Sequence, residues 1–490
     1  MNYSLSNKLT LILAIGISIL LSSASFFIDN SYWWDELYST TVSLLSFNDM
    51  FNKYILVDVH PPLHLFLLKI WVSTFGSSEI STRMLSFIFS VGSLILISSW
   101  FIKNTSKYVA IPTMIFFSSS WLFIYYAQET RAYSMMLFFS TLTTLLYIEV
   151  INCNTFTNKK FYFLLVSSFI LSLVHYFGLV FGGLILISLL FQIETIKNKT
   201  LITATGLISL IWPFIHFTYG SLGNKIGGDF WIASDGVQTT VTVFINSLLP
   251  QSRIIGKIIT NDYFKDLVTM VLVITIVLLL VYIFKKYEKK LLDTKDYGFL
   301  KKISLIGIIF IIIIALLDLH SPISTGRNFI VILPLISIIF GLMMSSLKNQ
   351  NKLFYLVLIF IIGSSLGVSM IKIESKITPM QNHKEAANYI VKKELDKTHD
   401  IYYGVKEKND GFQNIIFKNT ASYYLPVNTQ LSSVDVDNIT SLQTPFVYIS
   451  QHRQINLKKI IEGFKIKGIE VNVFEPTQAS KMSSWILYSK

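Results

Sequence analysis

Long apolar runs separated by short polar connections fill the first 371 residues, and a helix needs about 20 apolar residues to cross a bilayer. The first such run is Leu9–Phe27, preceded by Lys8; so many runs follow it that an uncleaved anchor fits better than a signal peptide. Further spans are expected near 83–102, 108–125, 132–150, 161–175, 178–193, 200–218, 266–284, 301–318, 327–347 and 352–371. The 33 apolar residues from 161 to 193 must turn near His175–Gly178. Pro61–Phe75 is apolar as well, but it is only 15 residues long and carries His64 and Lys69. That length suits a helix lying in the membrane interface.

With Pro61–Phe75 in the interface, residues 28–82 form one outer loop and every other connection collects lysine. Lys103 and Lys107, Lys159 and Lys160, Lys197 and Lys199, Lys285 to Lys302, and Lys348 and Lys352 then share the cytoplasmic side, the usual positive-inside distribution. A crossing Pro61–Phe75 would put them outside. The expected class is an α-helical polytopic membrane protein of about eleven spans, multi-pass in the cell membrane, with a cytoplasmic N-terminus.

The pattern changes after Ile371. Residues 382–397 place Ala387, Ile390, Val391 and Leu395 on one helical face. Short β-rich runs follow at Asp400–Val405, Phe446–Ser450, Val471–Phe474 and Trp485–Ser489, and a helix around Leu457–Lys467 stops at Gly468. The chain thus divides into a membrane domain, 1–371, and a small α/β domain, 372–490, on the extracytoplasmic side.

Composition agrees: 52% of the 490 residues are hydrophobic and 14% charged, with a mean hydropathy of +0.55. The net charge of +12 is a topology signal rather than a nucleic-acid footprint, because the lysines sit in alternate loops. Cys153 is the single cysteine, which rules out an intramolecular disulfide.

Three outer-side clusters carry the candidate chemistry. They are Trp33-Trp34-Asp35-Glu36-Leu37-Tyr38 with Asp58-Val59-His60-Pro61-Pro62-Leu63-His64 and Arg83; the tight connection Tyr125-Tyr126-Ala127-Gln128-Glu129-Thr130-Arg131-Ala132-Tyr133; and Ser321–Asn328, which contains Arg327. Each has an ordinary explanation. The acids can favour a helix N-terminus, the prolines can open a helix, the arginines can snorkel to headgroups, and the aromatics can form an interfacial belt. Together, however, they bring carboxylates, histidines and arginines to one membrane face, where ionised groups are costly enough to need a reason. A carboxylate among aromatics can act as a general base, and arginines can hold a phosphate.

The Asp35-Glu36 pair followed by His60-Pro61-Pro62 resembles the first outer loop of protein O-mannosyltransferases, members of the GT-C class of polytopic glycosyltransferases together with the lipid A aminoarabinose transferase. Arg83 matches an arginine near the start of that family's second span. Gln128-Glu129-Thr130-Arg131-Ala132-Tyr133 is similar to the second loop of bacterial members. Two positions depart from the pattern: Arg327-Asn328 stands where the family has Arg-Tyr, and His175-Tyr176 where many relatives have lysine before an aromatic. The resemblance implies a GT-C fold and inverting transfer of a sugar from a polyprenyl-phosphate donor to a protein, lipid or polysaccharide acceptor. It implies Asp35 as catalytic base, Glu36 as its support and Glu129 as a second-loop acid. His60, His64, Arg83, Gln128, Arg131, Tyr133, His175 and Arg327 would bind substrate. No nucleotide loop is present, and a divalent metal stays open, since the ligand spacing gives no strong signal for one.

Two rivals remain. A transporter or flippase for a lipid-linked saccharide would carry its charges near the midplane of repeated halves, and no repeat is evident. A non-catalytic scaffold would make the paired motifs coincidental. Residues 220–266 form either a lid or simply a long loop.

Overall fold

A computed structural model describes residues 5–28, 30–153, 159–220, 237–248, 295–348, 351–377, 381–405, 411–450, 457–476 and 484–489. The expected span at 266–284 and the Gly-Asp-Phe-Trp run after Gly220 lie outside them. The chain divides into two compact units. One comprises residues 1–23, 55–64 and 83–373; the other comprises 24–54, 65–82 and 374–490.

The first unit is helical and polytopic. Among the described residues, six helices are long and apolar enough to cross a membrane: Glu79–Asn104, Tyr133–Asn152, Ile196–Thr218, Leu300–His320, Gly326–Ser345 and Lys352–Glu374. Leu63–Phe75 and Tyr176–Leu190 are shorter apolar helices. At 13 residues, Leu63–Phe75 rises only about 20 Å, less than the roughly 30 Å of a hydrocarbon core. Side chains such as Leu356, Ile359 and Met370 are exposed along their helix, as lipid-facing positions should be.

Several apolar runs are broken by caps that hydropathy does not reveal. The run expected as 108–125 divides into Lys107–Ser119 and Trp121–Tyr126, with Ser120 Oγ accepting from the Leu122 N–H at 3.3 Å. The longest apolar stretch turns at His175, whose Nδ1 accepts from the Phe177 N–H at 3.2 Å and starts the helix Tyr176–Leu190. In each case a side chain satisfies an amide that the first turn leaves open.

Between helices, hydroxyls and small residues replace the hydrophobic drive that lipid removes. Thr143 Oγ1 donates to Ser167 Oγ at 3.1 Å, and Ser369 Oγ to Ser119 O at 3.3 Å. Gly341 marks the tightest approach, where a Cβ would overlap Thr113 Oγ1 and come within 2.7 Å of Val109 O. Gly341→Ala should therefore destabilise the membrane unit by about 1–3 kcal/mol, seen as a lower apparent melting temperature in detergent. An unchanged melting curve would mean that the two helices part without cost.

The second unit is built on a five-stranded sheet. The strands are β1 (Asp400–Val405), β2 (Leu431–Asp435), β3 (Phe446–Ser450), β4 (Val471–Phe474) and β5 (Trp485–Ser489), in the order β2-β1-β3-β5-β4. β1 pairs in parallel with β2 and β3, while β5 is antiparallel to β3 and β4. Both faces are covered. Ile401, Tyr403, Val447, Ile449 and Ile486 pack with Ala386, Ala387 and Ile390 of the helix His383–Lys392. Phe446, Tyr448 and Leu487 point the other way, against Ile460 and Phe464 of the helix Leu457–Ile466. That helix ends before Gly468, whose φ of +71° suits a residue without a Cβ. The sequence expectation for 382–397 runs longer than the observed helix, which stops at Lys392; Glu394 then adopts a left-handed φ of 55° ahead of a single further turn.

Candidate functional site

The sequence-predicted residues are distributed over both units. His60, His64, Arg83, Gln128, Glu129, Arg131, Tyr133, His175 and Arg327 belong to the membrane unit, Asp35 and Glu36 to the other.

In the membrane unit, Asp58 is the focus. Its Oδ1 lies 3.3 Å from His60 Nδ1 and accepts the Val59 N–H at 2.7 Å. Burial by itself would raise the Asp58 pKa. The electrostatic influence of neighbouring His60 and Arg131, with the hydrogen bonds to His60 and from the Val59 N–H, outweighs it and holds the carboxyl well below the usual carboxylate range. The His60 ring meets His175 edge-on at 5.4 Å, and His175 stands 6.0 Å from the Tyr133 ring. The Arg327 guanidinium lies over that same tyrosine, 5.5 Å from its centroid, a cation–π arrangement. The second and third sequence clusters therefore meet the His60 segment, with Arg131 and Arg327 supplying permanent positive charge.

His64, buried at the start of the helix Leu63–Phe75, is pushed down to a pKa of about 3 by burial and then by the charges of Arg131 and His60. The folded protein thus favours neutral His64, whereas the unfolded chain takes up a proton near the ordinary 6.5. This contribution to stability is complete above that value and is lost as pH falls from it towards 3. Between pH 7 and pH 5 the loss should be about 2 kcal/mol. Asp58, already ionised across this window, contributes no slope there. His64→Asn should accordingly flatten the dependence of the melting temperature on pH between 7 and 5; a mutant as acid-sensitive as the wild type would contradict this.

The remaining second-loop residues are held by backbone contacts. Gln128 Nε2 donates to Leu21 O at 2.8 Å and Ile124 O at 3.0 Å. Ser86 Oγ, one turn after the buried Arg83, donates to Glu129 O at 2.6 Å. Glu129 itself is buried, and its charge acts on Tyr126, as does that of Arg327.

Sequence reasoning assigned no role to Asp58 although it stands inside a quoted motif, and it missed Asp318 altogether. Asp318 is buried at the end of the helix Lys295–His320. Its Oδ1 accepts the N–H groups of Ile323 and Ser324 at 2.7 and 2.9 Å, and its Oδ2 accepts the Thr240 hydroxyl at 2.7 Å. Asn328 Nδ2 adds a bond to Ile323 O at 2.9 Å. The loop leading to Arg327 is therefore fixed by one carboxylate. The available signal was a lone acid in an apolar run, Leu316-Leu317-Asp318.

In the second unit, Asp35 and Glu36 occupy the first turn of the helix Trp34–Leu44. Glu36 is buried, and its Oε2 accepts the Trp33 N–H at 3.4 Å, the reciprocal half of a capping box. Asp35 is partly exposed. At the helix's other end, Lys69 Nζ donates to Ser43 O at 3.4 Å and to Leu45 O, a cation placed where the helix dipole favours one. Among the described residues, no group of three or more His, Cys, Asp or Glu is arranged to hold a metal ion.

No protein-family model and no curated protein matches the chain. Solved structures do. ArnT from Cupriavidus metallidurans in the apo state aligns with a TM-score of 0.58 and 10% identity, covering 99% of this chain and 98% of that one. The same protein bound to undecaprenyl phosphate aligns at 0.56 and 11%, covering 98% and 97%. The chain therefore has the GT-C fold of a multi-pass membrane protein, similar over nearly its whole length to ArnT.

Proposed function

We propose that the protein is an inverting glycosyltransferase that takes a sugar from a polyprenyl-phosphate donor and passes it to a protein, glycolipid or cell-envelope polymer on the extracytoplasmic side. One observation carries this reading: His60, Arg131, Arg327 and Asp58 are gathered around His175 within a fold shared with a protein solved with undecaprenyl phosphate. Two guanidiniums suit a lipid phosphate, since each can make paired charge-assisted hydrogen bonds to it.

In this reading Asp35 takes the proton from the acceptor hydroxyl or amine. The acceptor attacks the anomeric carbon from the face opposite the phosphate, the new glycosidic bond forms, and the bond to the phosphate oxygen breaks. The lipid phosphate leaves with the electron pair, stabilised by Arg131 and Arg327. Glu36 fixes the turn that carries Asp35, and Glu129 organises the second loop. Asp58 orients His60 and Arg131.

The test is mass spectrometry of lipid-linked sugars and envelope glycans in strains with and without the gene. Loss of one glycan product, with accumulation of its lipid-linked donor, is the expected result. An unchanged glycan pool defeats the reading. Redistribution of an intact lipid-linked saccharide between leaflets would favour transport instead.

A further inference from the structure

The chain enters the helix Trp34–Leu44 through Ser31, Tyr32 and Trp33, and its consecutive amides are each taken up by a side chain. The Tyr32 N–H donates to Tyr424 Oη at 3.0 Å, the Trp33 N–H to Glu36 at 3.4 Å, and the Trp34 N–H to Gln381 Oε1 at 2.7 Å. Two of these three acceptors come from the C-terminal segment of the same unit. The Tyr424 hydroxyl is itself directed, because it donates to Glu79 Oε1 at 2.8 Å and so turns a lone pair towards Tyr32. Glu79 is also 3.8 Å from Lys384 Nζ, and the Lys384 N–H donates to Ser31 Oγ at 3.3 Å. The Trp34 ring packs 5.2 Å from Phe417 and 6.4 Å from His383.

The first amides of a helix have no partner within it. Whatever accepts them sets the direction of the first turn, and Asp35 is in that turn. Gln381 is buried and offers its carbonyl oxygen from a fixed position, so the rotation of the turn depends on a residue 347 positions away in sequence.

We propose that the C-terminal domain is a positioning clamp for the acidic turn, with Gln381 and Tyr424 as the positioning residues that orient Asp35. The proposal rests on the glycosyltransferase reading, in which Asp35 is the base. It gives the C-terminal domain a part in the reaction itself rather than in choosing the acceptor.

Three variants of the full-length protein test it. Gln381→Met keeps the side-chain length and removes the acceptor, Gln381→Glu keeps an acceptor oxygen at the same reach, and Tyr424→Phe removes the second acceptor. In lipid nanodiscs, amide hydrogen exchange over residues 31–38 should quicken about tenfold in Gln381→Met and Tyr424→Phe and stay near wild type in Gln381→Glu, the size of effect a lost helix cap gives. Affinity for added undecaprenyl phosphate should be the same in all four proteins. In the null strain, at equal protein levels, Gln381→Met should restore about a tenth of the missing glycan product and Gln381→Glu nearly all of it.

Equal exchange in Gln381→Met and the wild type overturns the clamp. So does loss of product without a change in exchange, which would point to acceptor selection by the domain. A null strain that lacks no glycan overturns the reaction reading separately, and an exchange difference that persists there still supports the clamp.

Discussion

Asp35→Asn is expected to reduce sugar transfer by about 10³-fold while leaving a folded protein, because a positioned general base typically contributes between about 10² and 10⁴. The amide has the shape of the carboxylate and is tolerated near a helix N-terminus, but it cannot take the acceptor's proton. Glu36→Gln should cost far less. Glutamine can replace glutamate in a capping box, and Glu36 accepts the Trp33 N–H. The contrast between the two is the informative result. The glycan product missing from the null strain should fail to return with Asp35→Asn and return substantially with Glu36→Gln, at matched protein levels. Full restoration by Asp35→Asn would remove Asp35 as the base.

The second large effect concerns Arg327. Arg327→Gln should weaken binding of undecaprenyl phosphate by about 10- to 100-fold, since a hydrogen bond to a charged group is worth about 1.5–3 kcal/mol. Arg327→Lys keeps the charge but loses both the planar fork and the stacking over Tyr133, so it should fall between the two. Binding to the purified protein in nanodiscs gives the readout. Wild-type affinity in Arg327→Gln would show that the guanidinium serves the Tyr133–His175 packing and not the lipid phosphate.

Hydropathy made six of the expected membrane segments legible among the described residues, because each carries a long apolar surface, a property of composition. The break at Ser120 was not, since apolar residues run on both sides of it. In the sheet, β1, β3, β4 and β5 were readable as apolar, β-branched or aromatic runs. The edge strand β2, Leu-Ser-Ser-Val-Asp, has little apolar pattern and was missed, as was the helix Gly411–Ser422. At the site, His60 and Arg131 stood out because they share short motifs with other polar groups. Asp318 and Gln381 act through backbone N–H groups, and which amides they meet is a tertiary fact that no local spacing encodes.

The segment order of the second unit has a consequence for biosynthesis. Trp34 leaves the ribosome 347 residues before the glutamine that receives its N–H. At about 5–20 residues per second, the acidic turn waits roughly 20 to 70 seconds, while the intervening membrane helices are inserted, for its partners to be made. Until the last strand, Trp485–Ser489, closes against β3 and β4, the turn lacks its finished scaffold. Premature release of the nascent chain would leave the bundle in the membrane and the acidic turn unassembled.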